Sequence, residues 1–419
     1  MEFYELLRAM GVVHRVTVYI ITESQDETEK PKLEESIIEA VKLDCPDLVK
    51  EYLVLRQVFD KGKMNLILPD NWENRPYQLQ FIRRVLIDYP EKLEGQSRFL
   101  EAFFDGNPKN DYCAWIYSDL LLGVTVKLPE LGEQAVERLE KLYDKYQSNE
   151  SIRMTYARCL FNLTVEQPLE EREQNVSKLA TLYEQSNSDE DIAVAYAKGL
   201  VNLTIKQPLE ECRQSVDRLA ALHEKHGINE KIAIRYAKGL CNLIAEQPLE
   251  ECKQSVNKLA VLYGQYAENE EIAVRYADGL FNLTTELSTE ICEESADKMS
   301  ALYMRFQHNE QIAVSYADCL VNYALAQDSE EKVQEILEKS KALLEEYPQN
   351  TEIQLSYAQT WFNLTLVQSP DALRQTVQEI KEFIRKHPEA KEKFQLALDE
   401  YLAEHPDHTE RYASLVLRT

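Results

Sequence analysis

At 419 residues the chain exceeds a single compact core, which stops growing at roughly 250–300 residues, so it holds several domains or an elongated array. Eleven glycines leave little material for tight β-turns and favour helices. Forty-seven basic residues against 73 acidic ones give a net charge of −26, which repels nucleic acid and anionic lipid because their binding relies on neutralised phosphates.

Residues 1–109 show no internal repeat, and helical patterns are expected at 1–10, 33–58 and 76–89. Residues 12–21 are β-branched and read as a short strand or a buried helical segment. An acidic loop covers residues 23–34. The region reads as a mostly helical cap or adaptor. No stretch approaches the roughly 20 apolar residues that span a membrane, and no secretory signal is read at the start.

From residue 110 to 388 the pair Tyr-Ala recurs, at Tyr156, Tyr196, Tyr236, Tyr276, Tyr316 and Tyr357, with spacings of 40, 40, 40, 40 and 41. Asparagine follows at a fixed offset, as Asn162, Asn202, Asn242, Asn282, Asn322 and Asn363, and a weaker copy surrounds Tyr117. About seven repeats result, each of two helices. In the first helix Ala273, Tyr276, Ala277, Leu280 and Leu283 form an apolar stripe, and Asn149, Asn229, Asn269, Asn309 and Asn350 stand as N-caps. The second helix opens on Pro168, Pro208 and Pro248 and carries the stripe Val256, Leu259, Leu262 and Tyr263. Cys159, Gly199, Gly239, Gly279 and Cys319 share one first-helix position, and glycine there costs about 1 kcal/mol, so a close neighbour is expected. Residues 389–419 read as capping helices.

These residues resemble the tetratricopeptide repeat family in an expanded form, its usual unit having 34 residues. Residues 269–280 resemble its first helix, with Tyr276 and Ala277 where the family has Leu-Gly; Ser255, Leu259 and Leu262 keep its second-helix spacing. Pro348 and Pro388 match its terminal proline, and the likeness covers about two thirds of the chain. It implies an all-α fold, a right-handed α-solenoid whose concave groove is lined by the first helices. Similar arrays occur in large prokaryotic proteins, some attached to caspase-like peptidase domains, which implies a defence or stress assembly by analogy alone.

Carried over, the groove holds the asparagine column, a basic track of Arg158, Lys198, Arg235, Lys238 and Arg275, and Phe281. Asparagine amides can donate to and accept from a peptide backbone, and the basic track would select an acidic segment. The competing reading keeps each asparagine for its own helix or the next repeat, and the basic residues for neighbouring acids. The expected function is a non-catalytic cytoplasmic scaffold, an adaptor, inhibitor or regulatory subunit holding a protein or an acidic peptide. The alternatives are a peptide-sensing regulator of signalling or transcription and, disfavoured by charge, a single-stranded RNA binder. No cofactor, metal or DNA is expected, since no nucleotide, hydrolase or zinc motif is read. The column Cys212, Cys252 and Cys292 reads as buried filler, and His223 as a substitute in the column of Tyr143, Tyr183, Tyr263 and Tyr303.

Overall fold

The computed structural model describes residues 111–127, 129–186 and 189–412, and within them the fold is all-α, with consecutive helices packed in neighbouring pairs. The readings for residues 1–109 and for 413–419, the end of the expected capping helices, lie outside the described residues. The chain divides between Gly199 and Leu200 into two compact units.

In the first unit α1 (Asp111–Lys127) is followed by a 3₁₀ turn at Pro129–Leu131, then α2 (Gly132–Lys145), α3 (Glu150–Leu163), α4 (Leu169–Gln185) and the start of α5 (Glu190–Thr204). Helix α1 packs on α2 and α3, and α3 also packs on α4. Tyr117, the weak first copy of the repeat, is buried.

The second unit holds the end of α5, then α6 (Leu209–His226), α7 (Glu230–Ile244), α8 (Leu249–Gln265), α9 (Glu270–Thr284), α10 (Thr289–Arg305), α11 (Glu310–Leu325), α12 (Glu330–Glu346) and α13 (Thr351–Val367). Two layers form. The first helices α7, α9, α11 and α13 lie side by side, while α8, α10 and α12 each lodge against two successive first helices. Helices α14 (Pro370–Lys386) and α15 (Pro388–Glu404) close the stack on α13, followed by a 3₁₀ turn at Pro406–His408 and α16 (Thr409–Tyr412). Phe362, Ile380, Phe394 and Tyr412 are buried together there, so the apolar face of α13 is covered.

The core follows the two stripes. Ile272, Ala273, Tyr276, Ala277, Leu280 and Leu283 are buried from α9, and Val256, Leu259 and Leu262 from α8. The second helices α2, α4 and α8 each set a ring against the tyrosine of the next first helix: Tyr143 on Tyr156 at 5.6 Å, Tyr183 on Tyr196 at 6.0 Å, and Tyr263 on Tyr276 at 5.6 Å. Stacked pairs of this kind are worth about 0.5–1.5 kcal/mol beyond the area they bury.

The glycine position is a close approach to side chains. A Cβ on Gly239 would lie 2.6 Å from Leu219 Cδ1, and one on Gly279 2.9 Å from Leu259 Cδ1. Where Cys319 takes that position, Ala296 takes the valine position of the preceding helix, so the added volume is matched by a deletion.

Helix starts differ from expectation by one residue. Pro168, Pro208 and Pro248 are N-caps in extended backbone, and the helices begin at Leu169, Leu209 and Leu249. The reason is that each proline carbonyl accepts the first helical bond, from Arg172, Cys212 and Cys252 at 3.1, 2.9 and 2.9 Å. Ser288 replaces proline before α10, preceded by Leu287 at a φ of 52°, a left-handed backbone that a leucine adopts at a cost.

Candidate functional site

Some first helices of the second unit are joined by side-chain rungs that use members of the asparagine column. Asn242 Nδ2 donates to Thr204 Oγ1 at 2.8 Å, and Asn322 Nδ2 to Thr284 Oγ1 at 2.9 Å. In the first unit Asn162 makes the same bond to Thr125, at 3.1 Å. Each threonine hydroxyl in turn donates to a carbonyl of its own last turn, Thr204 to Val201 and Thr284 to Phe281, both at 2.7 Å. The hydroxyl hydrogen is thereby committed, which leaves the oxygen to accept the amide.

The substitutions in this threonine column support that logic. Ile244 stands two residues after Asn242, and Asn282 turns back to the carbonyl of Asp278 in its own helix, at 2.8 Å. Ala324 stands two residues after Asn322, and Asn363 donates instead to the Val321 carbonyl, at 3.0 Å. Asn202 is half-buried at the equivalent point of α5. An amide has two hydrogens and an acceptor oxygen, so the rung occupies part of each asparagine.

The basic track is less uniform than its residue types imply. Arg158 is exposed, and Lys198 is half-buried with its ammonium 5.1 Å from the centre of the Phe161 ring, a cation–π contact. Lys238 pairs with Glu271 across the α7–α9 joint at 3.1 Å, and Arg275 pairs with Asp278 on its own helix at 2.9 Å. Arg235 is half-buried, has no hydrogen-bond or ion-pair partner among the described residues, and its Nε is buried. Phe281 is half-buried beside Asn282, whereas Val194, Val201 and Val274 of the first helices are buried.

The position that holds Arg158, Lys198 and Lys238 reverses sign further along, where it holds Asp278 and Asp318. Asp278 accepts from Ser315 at 3.4 Å and Asp318 from Ser356 at 2.6 Å, each bond crossing to the next first helix. Burial raises both carboxyls above the usual range; Arg275 and Ser315 oppose it at Asp278, and Ser356 at Asp318. The reversal was readable in the sequence as a column, had the acidic members been aligned with the basic ones. Cys241 lies on the same face, with its thiol donating to the Arg275 carbonyl at 3.2 Å, and burial pushes it up to about 12.

An open cleft of about 670 Å³ lies between the end of α6 and the face of α8, lined by His223, Tyr236, Val261, Leu262 and Tyr266 among others. His223 stacks on Tyr236 at 5.8 Å, as a tyrosine does in the other repeats. The Tyr266 hydroxyl donates to the Gly227 carbonyl at 2.8 Å, so it accepts from His223 Nε2 at 3.3 Å, and the neutral imidazole carries its proton on Nε2. Burial lowers the His223 pKa, against the opposing field of Glu224. Cys212 and Cys292 are buried, their thiols directed at the Thr204 and Thr284 carbonyls at 3.7 and 3.6 Å, and Cys252 is buried at the equivalent position. The pattern is that of filler between the two helices of a repeat. Among the described residues no group of three or more His, Cys, Asp or Glu could hold a metal ion, and no helix is long and apolar enough to cross a membrane.

No protein-family model matches the chain, and no curated protein matches its sequence.

Proposed function

We propose that the chain is a non-catalytic interaction scaffold of the tetratricopeptide-like kind, an adaptor, inhibitor or regulatory subunit that holds a partner protein on the first-helix face of its second unit. The observation that carries this reading is the face itself. Helices α7, α9 and α11 lie side by side there and present half-exposed Ile234, Arg235, Lys238, Phe281 and Val321, apolar and charged in alternation. Such a mixture suits a partner segment with apolar anchors and polar register contacts. The rung between α9 and α11 holds those two helices in register, which limits the ordering cost of binding. Six described cysteines are free thiols, in keeping with a reducing cytoplasm.

The test is capture from the native host's lysate by the full chain and by Ile234→Asp/Phe281→Asp, with helicity checked by circular dichroism. A specific protein held by the wild type and lost by a folded variant supports the scaffold on this face. Retention by both would move the interface elsewhere. Recovery of nucleic acid, or of nothing specific, would sink the reading.

A further inference from the structure

Successive first helices in the second unit are joined at one recurring pair of positions, the residue two after the repeat tyrosine and the residue just before the next repeat's tyrosine. At the α9–α11 joint this pair is Asp278 with Ser315, and at the α11–α13 joint Asp318 with Ser356; each is a carboxylate accepting from a hydroxyl. At the α7–α9 joint the same two positions hold Lys238 and Arg275. Two cations stand where the next two joints along the chain hold an anion and a donor.

The surrounding groups offset this only in part. Lys238 turns to Glu271 and Arg275 to Asp278, and Arg235, one turn before Lys238, has no acid to pair with among the described residues. The local sum is three cations against two carboxylates, in a chain whose net charge is −26. The Nε atoms of Arg235 and Arg275 are both buried without a hydrogen-bond partner, and the side chains of Lys238 and Arg275 are only 26 % and 30 % exposed. Partly desolvated cations bind anions through charge-assisted hydrogen bonds, and guanidinium takes a carboxylate in two-point fashion. The Asn–Thr rung is also missing at this joint, because Ile244 stands in the threonine position.

The geometry points to an anion site at the α7–α9 joint, in which Arg235, Lys238 and Arg275 receive the carboxylates of an acidic peptide segment. It rests on the scaffold reading and specifies the chemistry of the same face. The incoming carboxylate supplies at this joint the anion that Asp278 and Asp318 supply at the next two. Repulsion from the rest of the acidic chain acts over longer range and is screened beyond about 10 Å at 0.1 M salt, whereas contact pairs at the site keep most of their strength.

The experiment is calorimetric titration of the full chain with acetylated, amidated hexaglutamate at about 0.1 M salt, with hexaglutamine and inorganic phosphate as comparisons. The variant is Lys238→Gln/Arg275→Ser, which uses residue types found at the equivalent positions, Gln359 and Ser315. Hexaglutamate is expected to bind the wild type, with affinity lower by about tenfold or more in the variant and unchanged in Lys258→Gln on the outer layer. Should the double variant fail to fold, Arg235→Gln carries the same expectation with a smaller loss. Equal affinity for wild type and variant, no binding of hexaglutamate by the wild type, or binding of phosphate alone would overturn the proposal. Lysate capture separates the two readings. A partner still held by Lys238→Gln/Arg275→Ser removes the anion site and leaves the scaffold, while a wild type that captures nothing removes the scaffold.

Discussion

Asparagine is suited to the rung position because a short amide can donate sideways to the next helix while its backbone stays helical. Two asparagines at equivalent repeat positions therefore differ in what they contribute. Asn242→Ala removes the bond to Thr204 and is expected to lower stability by about 1 kcal/mol, while Asn282→Ala, whose bond is to its own helix, should be near neutral because alanine is the better helix former. Urea midpoints of the two variants measured side by side test this; equal losses would refute the rung. Histidine at position 223 makes a pH prediction. Its folded pKa is lowered below the ordinary 6.5, so its contribution to stability is complete above that value and is lost as pH falls from there toward the folded pKa. His223→Tyr, the residue of the equivalent positions, should lose less thermal stability than the wild type between pH 7.5 and pH 5.5. Identical slopes would mean that the imidazole stays solvated. The thiol at Cys241, pushed up to about 12, should resist iodoacetamide at neutral pH until the chain unfolds, as peptide mapping would show.

At the scale of the element, the first helices α9, α11 and α13 are each capped and tied to the preceding repeat by one asparagine. Asn269 Oδ1 accepts from the Ile272 amide at 2.9 Å, and its Nδ2 donates to Glu230 at 2.5 Å; Asn309 and Asn350 repeat both bonds, to Glu270 and Glu310. Aspartate caps as well as asparagine but cannot donate. Asn269→Asp should therefore keep the helix and still lose about 1 kcal/mol, since it sets a second carboxylate against Glu230. Hydrogen exchange in the first turn of α9 would report it, and unchanged exchange would show that the inter-repeat bond adds nothing. Asparagine at these positions was legible as a cap; its second bond was not, because it joins residues 39 or 40 apart whose alignment depends on packing.

For the whole chain the dominant long-range term is its −26 charge, which opposes compaction. Thermal midpoints are expected to rise as NaCl goes from 10 to 200 mM, because screening weakens that repulsion more than it weakens contact pairs such as Arg213 with Glu251 at 2.6 Å. A fall would mean that surface ion pairs outweigh the repulsion, although exposed pairs are each worth only about 0–1 kcal/mol.

The 40-residue period, the two stripes and the caps determined the helical class and the membership of the core, because burial and helix ends depend on local spacing and side-chain type. Tyr276, Ala277 and Leu280 could be placed inside before any helix was packed. Tertiary structure decided what each polar residue faces. Asn242 and Asn282 look alike in the chain, yet one bonds across the joint and the other does not, and the difference is set by residues 204 and 244 on the preceding first helix. Lys238 and Arg275 likewise read as two beads on a basic track until packing sets them at one joint, where the next repeats hold a carboxylate and a hydroxyl. Side-chain pairing is a property of distance in space, and a repeat brings together residues that are one whole period apart in sequence.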